Sequence, residues 1–420
     1  MRWQVDDTPE QAAFRDDLRG WLREALHPGW VEAVDDGDDD RFARIRKEAE
    51  AAGWNPFSWA RTIGESGYAA PTWPKEYGGL SGEPWTVRLT REELERYRLP
   101  TIAINLLGVG LAGPTIIEHG TEEQRTRYLR KILTCEEVWC QLFSEPGSGS
   151  DLASLGTRAE RDGDEWVVNG QKVWTSAAQF SHFGMLLART DPDKPKHDGL
   201  TYFIVAMSSE GVDIRPLRQI TGSAEFNEVY FTDVRIPEEN RVGDVGDGWR
   251  VARTTLMNER VTLTGVTLDT VAFMGGVRKD AWESFLDSVP DRGDPVARQA
   301  IAQFYIEQQV KEITAFRAAA ARARGEEPGP EGSIGKVFNA ELNQRRSSWQ
   351  VSNAGMTSVA WERHDKDAES RAHAFLRARA NTIEGGTSEI LRNQIGERVL
   401  GLPREPEPDK GVAWKELRRN

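Results

Sequence analysis

The sequence predicts an α+β protein in which one β-rich segment separates two helical segments. Capping patterns that start helices occur in the first segment, at Thr8 and at Thr121. From about residue 138 to residue 242, short runs rich in β-branched and aromatic residues are spaced by turns, as in a small barrel. The helical spacing of apolar residues returns from Trp249 onward. We therefore expect an N-terminal helical domain at 1–137, a middle β-barrel domain at 138–243 and a C-terminal helical bundle at 244–420.

Length and charge limit the classes of function. A chain of 420 residues allows roughly two to four domains. The net charge of −13 argues against a nucleic-acid or anionic-membrane partner. The sequence contains two cysteines, no secretory signal, and no apolar run near the roughly 20 residues that a membrane helix needs. The few cysteines and the lack of an apolar signal segment lead us to expect a cytoplasmic protein. No His, Cys or carboxylate cluster has metal-ligand spacing, so we expect no metal site.

The N-terminal segment should consist of helices. Thr8-Pro9-Glu10-Gln11 forms a capping box with proline at the first helical position, and Thr121 to Gln124 forms another. A further helix should carry Glu92 to Arg96. The acidic run at 35–40 lacks the downstream Glu of a calcium loop, so we interpret it as a solvated connector.

The stretch from Gln141 to Ser176 is the strongest candidate for a binding site. It starts as a strand, breaks at Pro146 and continues through a Gly/Ser loop whose backbone N–H groups could approach a ligand closely. A hairpin is expected next, with turns at 162–164 and at Asn169-Gly170. It leads to Trp174-Thr175-Ser176, where a flat ring is followed by two hydroxyls. A planar cofactor with hydrogen-bonding edges would suit this surface.

The C-terminal segment contains a second candidate region. The pair Glu259-Arg260 lies in a predicted helix that starts near Trp249. Later in the chain, two glycines precede a Thr/Ser cap, and a helix should run from Ser388 to a stop at Gly401. Between these regions we expect a long helix at 298–325 and a Pro/Gly-rich helix connector at 327–336.

In combination, these motifs resemble those of the acyl-CoA dehydrogenases. The resemblance extends from Thr8 to Glu405 and includes Phe143-Ser144-Glu145-Pro146, Gly149-Ser150-Asp151 and Gly170-Gln171-Lys172 with Trp174. It implies a helical domain, a small β-barrel and a four-helix bundle. It also implies FAD as cofactor, oxidation of an acyl-CoA to the trans-2-enoyl-CoA, and electron-transfer flavoprotein as acceptor. A homodimer or homotetramer is implied, or a heterotetramer with a homologous subunit.

The resemblance leaves two candidates for the catalytic base. Many members carry a catalytic Glu at the position of Gly385, which here has no side chain. A branch that includes the isovaleryl- and long-chain enzymes instead carries the base before an Arg on the earlier helix, and Glu259 stands there. We therefore favour Glu259 as base, with the backbone N–H of Gly385 as a donor to the thioester carbonyl. Glu384 is the rival, one residue out of register.

The remaining site residues are implied by matching position. Ser150, Arg260 and Gly386 match substrate-contacting positions, and Gln350 introduces a weak match to an adenosine-side glycine segment. The residues expected to contact the flavin are Gln141, Phe143, Ser144, Gly149, Ser150, Trp174, Thr175, Ser176, Thr387, Ser388 and Glu389.

Two other functions stay open at this level. One is an acyl-CoA oxidase, in which oxygen reaches the reduced flavin. The other is a non-catalytic structural subunit of a heteromeric acyl-CoA dehydrogenase, which Gly385 and the weak adenosine-side motifs would suit. The P-G-P-x-x-S-x-x-K segment that ends at Lys336 looks like bacterial members linked to sterol side chains. No motif marks the floor of the acyl pocket, so chain length is not predicted.

Overall fold

The computed structural model of the chain describes residues 7–99, 105–265, 281–289, 291–323, 331–360 and 365–417. Its N-terminal part is helical. The capping box forms as predicted, because the Thr8 hydroxyl accepts a hydrogen bond from the Gln11 N–H while the Gln11 side chain accepts from the Thr8 N–H. Thr121 and Gln124 make the same reciprocal pair. The helices are α1 (Pro9–Ala25), α2 (Trp30–Asp35), α3 (Asp39–Ala51), α4 (Pro56–Ser66), α5 (Trp85–Arg96), α6 (Gly113–His119) and α7 (Glu122–Leu133).

The acidic run is only partly a connector. Asp35 ends α2, and Asp38 caps α3 by accepting a hydrogen bond from the Arg41 N–H. Asp39 and Asp40 then lie in the first turn of α3, where negative charge is favourable next to the helix N-terminus. Since Asp36 is the C-cap of α2, all five carboxylates of the run belong to helices or their caps.

The middle part is one sheet of eight strands. β1 (Trp139–Leu142) pairs in parallel with β4, and the other strands follow the order β6-β7-β3-β2-β4-β5-β8. β4 and β5 are almost fully buried, which explains their near-continuous apolar sequence. The remaining bounds are β2 (Arg158–Asp162), β3 (Glu165–Ser176), β4 (Phe183–Arg189), β5 (Leu200–Ala206), β6 (Val212–Leu217), β7 (Phe226–Pro237) and β8 (Arg241–Val242).

One predicted turn is wrong. The turn at Gly163 joins β2 to β3 as expected, but Asn169 and Gly170 lie inside β3, at an irregularity in its pairing with β7. A Cβ atom on Gly170 would stand 2.7 Å from the Cα atom of Thr157. The glycine is therefore required by a close approach of two backbones at a bulge, and not by a hairpin turn.

The C-terminal part is helical again, which confirms the predicted helix–sheet–helix fold class. Ser333 and Lys336 lie within a helix, so the predicted connector is wrong for 331–336, while 327–330 lie outside the described residues. The three domain boundaries stay a prediction. The helices are α8 (Gly248–Gly265), α9 (Ala281–Asp287), α10 (Pro295–Ala323), α11 (Glu331–Asn353), α12 (Lys366–Arg377) and α13 (Ser388–Arg398).

The three parts meet at a buried group of hydroxyls. Thr115 of α6 and Thr255 of α8 place their Oγ1 atoms 2.9 Å apart, and the Tyr202 hydroxyl of β5 lies 3.1 Å from Thr255 Oγ1. All three residues are buried. Because buried hydroxyls need partners, this cluster restricts the rotation of α8 against the sheet, together with the buried apolar residues Val251 and Ala252. Glu259, one helical turn after Thr255, is oriented by the same packing.

The end of the chain returns to the sheet. Trp414 stacks on the Arg189 guanidinium at 4.6 Å and donates a hydrogen bond from Nε1 to the Ser154 carbonyl oxygen at 3.1 Å. Ala413 pairs with Pro195 in the same region. Among the described helices, none combines the length and apolarity needed to cross a membrane.

Candidate functional site

A buried ion pair holds the loop that follows β1. Lys172 of β3 is completely buried, and its Nζ donates to the Phe143 carbonyl oxygen and to Glu145 Oε1, both at 2.9 Å. The other donors to the Glu145 carboxylate are the backbone N–H groups of Gly156 at 2.7 Å and Thr157 at 2.8 Å. The Ser-Glu-Pro loop is therefore fixed on one side by a charge-assisted network.

The same network shifts the pKa values of both partners. Burial alone would raise the pKa of Glu145, but the Lys172 charge and the hydrogen bonds from Gly156 and Thr157 hold that pKa below its usual range. Burial lowers the pKa of Lys172, and the attraction to Glu145 opposes this. The contacts describe a salt bridge whose loss would leave one charge buried without its partner.

Trp174 presents a flat, open face. Its side chain is 60% exposed, and its backbone has a left-handed φ of 61° that non-glycine residues adopt rarely. Phe226 supports the indole edge to face, with the ring centroids 6.0 Å apart. The neighbouring Thr175 is buried, and within the described part of the chain its Oγ1 has no hydrogen-bond partner. A ring surface thus stands next to a hydroxyl that still needs a partner.

The loop between β1 and β2 is open to a ligand. A Cβ atom added at Gly147 or at Gly149 would meet nothing within 4 Å. Ser150 and Asp151 follow, and Asp151 Oδ1 lies 2.8 Å from Lys196 Nζ. Phe143 is buried behind this loop, and the Ser144 carbonyl accepts from the Val173 N–H at 2.9 Å. The loop therefore has a fixed base and an open rim.

The carboxylate of Glu259 lies next to β1, the strand that leads into this loop. Gln141 of β1 donates from Nε2 to Glu259 Oε2 at 3.2 Å, across a sequence separation of 118 residues. Glu259 is partly buried. The structure thus brings the predicted base next to a predicted flavin-contacting residue. The side chain of Arg260 lies outside the described residues.

The rival carboxylate lies in a different environment. Glu384 receives two hydrogen bonds from the Arg377 guanidinium, at 3.1 and 2.8 Å, and a third from Asn381 Nδ2 at 2.8 Å. Gly385 and Gly386 follow with φ values of 61° and 94°, in the left-handed region that favours glycine. To approach a substrate, Glu384 would have to break these charge-assisted hydrogen bonds.

The helix after the bend starts as predicted. Thr387 is the N-cap of α13, and its Oγ1 accepts from the Ile390 N–H. Ser388 is buried, and its Oγ has no hydrogen-bond partner among the residues that the structure describes. Glu389 is exposed. The helix ends at Arg398, and Gly401 adopts the left-handed conformation expected of a stop.

Arg377 connects the bend to the surface around Trp174. Besides Glu384, it contacts Glu225 at 3.9 Å, and its guanidinium lies over the Phe226 ring at 5.8 Å. Phe226 in turn supports Trp174. The candidate residue Trp174 of β3 and the bend therefore belong to one region, which Phe226 and Arg377 connect. Gln350 lies elsewhere, since its Nε2 donates to Ser288 Oγ at 2.7 Å within the C-terminal helices.

Sequence reasoning assigned no role to Lys172, Arg377 or Lys336. Lys172 follows the buried residues Trp166 and Val168 of β3 by an even number of positions. Because side chains alternate between the two faces of a strand, this spacing indicates a buried lysine. Arg377 precedes Glu384 by seven residues, but nothing in the sequence indicates their pairing across the bend. Lys336 donates to the carbonyl oxygen of Gly386, 50 residues away. No sequence signal indicated this contact, because residues 327–336 were predicted to form a connector.

Comparison with known proteins gives matches along most of the chain. The acyl-CoA dehydrogenase N-terminal domain matches residues 8–136, the middle domain 140–234 and the C-terminal domain 246–400. The acyl-CoA dehydrogenase FadE34 of Mycobacterium tuberculosis is 41% identical over 81% of this chain, but the match spans about half, 46%, of that relative.

Two further matches span nearly whole proteins. The acyl-CoA dehydrogenase IpdE1 of Mycobacterium tuberculosis is 37% identical over 93% of this chain and 98% of its own length. The solved structure named Tcur3481-Tcur3483 steroid ACAD has a TM-score of 0.73 and 28% identity, and the match covers 96% of this chain and 100% of that one.

Proposed function

Because the chain belongs to the acyl-CoA dehydrogenase family, we propose that it oxidises an acyl-CoA thioester to the trans-2-enoyl-CoA, with Glu259 as the base. Membership of the family makes it an oxidoreductase that acts on acyl-CoA. The observation that carries the assignment of the base is the hydrogen bond from Gln141 to Glu259, which sets this carboxylate beside the strand that leads into the open Gly/Ser loop. Gly385 offers no carboxylate, and Glu384 is bound by Arg377.

Members of this family are FAD-dependent flavoproteins, and bound FAD supplies the acceptor for the hydride that leaves the β-carbon. The residues present fit this cofactor. Trp174 offers an exposed ring, and Thr175 and Ser388 each have a buried hydroxyl without a partner in the described chain. The open loop at Gly147 and Gly149 leaves room for a close approach to backbone N–H groups.

The chain's own groups would then have two tasks. A carboxylate is a weak base toward a thioester α-proton unless the carbonyl oxygen is hydrogen-bonded. We propose that the backbone N–H of Gly385 provides this hydrogen bond, which needs no side chain. Ser150 and Gly386, with Arg260, would contact the substrate. Gln141 would hold Glu259 in the orientation that reaches the α-carbon.

We propose electron-transfer flavoprotein as the electron acceptor. An acyl-CoA oxidase is the alternative, since both enzymes share the steps up to flavin reduction. Stopped-flow reoxidation of the reduced protein distinguishes them. We expect slow reoxidation in air and fast reoxidation with electron-transfer flavoprotein, and fast reoxidation by air alone would favour the oxidase.

We also propose that the acyl group is bulky and of the steroid type, because the similar solved structure is named a steroid ACAD. Anaerobic bleaching of the flavin absorbance by straight, branched and steroid-derived acyl-CoAs tests this. We expect the steroid-derived thioesters to bleach fastest. Preference for a straight chain would reject the substrate class without affecting the reaction type.

The second candidate function is a partner subunit. The name of that solved structure joins two protein designations, and the usual base position is occupied here by Gly385. We therefore include a heterotetramer with a homologous subunit among the proposed assemblies, beside a homodimer or homotetramer. Purification of this chain alone, followed by mass determination and a visible spectrum, decides between them. A yellow, active homo-oligomer supports the catalytic proposal. A colourless chain that gains colour with a homologous subunit favours the partner role. The cytoplasmic location stays a prediction.

A further inference from the structure

We propose that Lys336 is a positioning residue that holds the double-glycine bend, and that it fixes the backbone N–H of Gly385 against the thioester carbonyl. The proposal rests on the dehydrogenation proposed above. Lys336 is the last residue of the P-G-P-x-x-S-x-x-K segment. The resemblance to the family assigns this lysine no role in the site. The bend is defined here as residues 379–386.

Polar side chains on one face of α11 donate hydrogen bonds to this bend. Lys336, Asn343 and Gln344 are spaced by seven and eight residues, so they lie on one face of the helix. Each donates to the bend: Lys336 Nζ to the Gly386 carbonyl, Asn343 Nδ2 to Asn381 Oδ1 at 2.6 Å, and Gln344 Nε2 to Thr382 Oγ1 at 3.0 Å. Three successive points of one segment are therefore tied to one rigid helix.

The Gly385 N–H lies between two fixed points of the backbone. On one side, the Glu384 N–H donates to the Ala380 carbonyl at 3.0 Å. On the other side, the Gly386 carbonyl accepts the hydrogen bond from Lys336. Two consecutive glycines with positive φ have wide conformational freedom, so the bend needs external contacts to keep one geometry. Of these contacts, the one from Lys336 is the closest in sequence to Gly385 on its C-terminal side.

The hydrogen bond from Lys336 is also expected to be strong. A charged donor gives a stronger hydrogen bond than a neutral one. Burial lowers the pKa of Lys336, and the nearby Glu384 and Glu389 oppose that change. Glu384 lies within the bend and Glu389 lies just after it, so both negative charges attract the ammonium toward this segment. A donor to a thioester oxygen has to be aimed closely, because small displacements weaken the polarisation of the carbonyl strongly.

The test measures enolisation directly. Acetoacetyl-CoA bound to the oxidised holoenzyme serves as the probe, because its enolate next to a flavin gives a long-wavelength charge-transfer absorbance that can be titrated with pH. In Lys336→Met we expect the FAD content to be retained and the apparent pKa of the bound probe to rise by about one unit, a roughly tenfold loss of enolate stabilisation. Lys336→Arg should restore most of it.

A matched control is available on the neighbouring helix. Lys311 of α10 also contacts α11, through a hydrogen bond from Nζ to Asn339 Oδ1 at 2.9 Å, but it does not donate to the bend. Lys311→Met should leave the probe pKa unchanged. If Lys336→Met lowers the melting temperature and the probe still enolises as in the wild type, Lys336 has only a structural role and the proposal is overturned.

Two further outcomes keep the tests separate. If Lys336→Met does not fold, Gln344→Met removes a neutral contact to the same bend, and a rise of the probe pKa there supports the proposal while an unchanged value contradicts it. If the wild-type holoenzyme shows neither the charge-transfer band nor bleaching by any acyl-CoA, the dehydrogenase function itself fails, and the proposal for Lys336 fails with it. That result differs from an active wild type in which Lys336→Met leaves the pKa of the bound probe unchanged, because the latter contradicts only the proposal for Lys336.

Discussion

Helix α8 and the double-glycine bend each offer one carboxylate to the candidate site, and the two differ in their partners. Glu259 on α8 accepts a hydrogen bond from the neutral amide of Gln141. Glu384 in the bend accepts three hydrogen bonds, two of them from the Arg377 guanidinium. The difference teaches that Glu384 already ties the bend to the end of α12 through a charge-assisted pair with Arg377. Glu259 is therefore the carboxylate that we propose as the base.

Replacement of each carboxylate by its amide tests this comparison most directly. Glu259→Gln should reduce dehydrogenation by about 10³- to 10⁴-fold, because the proposed base is lost, while FAD stays bound. Glu384→Gln should reduce it by less than about tenfold, because its amide oxygen can still accept from Arg377 and Asn381. Anaerobic flavin reduction in single turnovers measures both. A dead Glu384→Gln with an active Glu259→Gln would reverse the assignment.

A third carboxylate, Glu145, sharpens the comparison because its partner is a buried cation. Lys172→Met removes that cation and should lower the free energy of unfolding by about 3–5 kcal/mol, since Glu145 would remain ionised and largely buried. Urea denaturation followed by tryptophan fluorescence measures the change. The double variant Lys172→Met/Glu145→Gln should recover a large part of the loss. Equal stability of the single and double variants would show that the pair contributes little.

The orienting amide can be removed while Glu259 remains. Gln141→Met should reduce the rate of flavin reduction by about tenfold, because the carboxylate loses the amide donor that helps to orient it. Gln171→Met is the matched control. Gln171 likewise donates to a glutamate in the sheet, Glu228, at 3.0 Å, but neither residue is part of the proposed catalytic site. An equal decrease in both variants would mean that the sheet, and not the orientation of Glu259, is disturbed.

The smallest effect concerns the anchoring of α8 near neutral pH. His119 Nε2 lies 2.8 Å from Thr254 Oγ1, and Nδ1 lies 3.2 Å from Arg250 Nη1. Burial and Arg250 lower the pKa of His119, while Glu118 and Asp247 oppose the change. As the pH falls, His119 of the unfolded chain therefore binds a proton at a higher pH than His119 of the folded protein. The contribution to stability is complete above about pH 6.5 and is lost as the pH falls through the folded pKa.

Melting temperatures measured between about pH 5 and pH 7 check this sign. The wild type should lose melting temperature more steeply than His119→Gln as the pH falls, because the variant has no imidazole to protonate. His197, whose pKa burial also lowers, remains in both proteins and contributes equally to each slope. Parallel curves for the two proteins would contradict the anchoring role.

The parts of the fold that the sequence predicted are those with local patterns. The capping boxes at Thr8 and Thr121 formed because their donors and acceptors are three residues apart. The signal at Asn169-Gly170 was equally local and was misleading. Its glycine is required by Thr157 of a neighbouring segment, and the period-two pattern continues through it. A turn dipeptide therefore has to be weighed against the strand in which it lies.

The candidate site was predicted to a similar extent. The loop after β1, the ring of Trp174 and the cap at Thr387 follow from sequence motifs and lie where a ligand could reach them. The partners of the charged residues could not be predicted. Lys172 with Glu145, Arg377 with Glu384 and Lys336 with Gly386 are pairs for which a linear motif states no rule.

The sequence by itself determined the order of helical, sheet and helical parts and the capped helix starts at Thr8, Thr121 and Thr387. These depend on the period of apolar residues and on contacts within a few positions. The residues proposed for flavin and substrate follow from the resemblance to the family. Only the tertiary structure decided which carboxylate meets an amide and which meets a guanidinium. Gln141 and Glu259 are 118 residues apart, and their contact depends on how α8 packs against the sheet. That packing joins apolar residues and buried hydroxyls from all three parts of the chain, so no single segment encodes it.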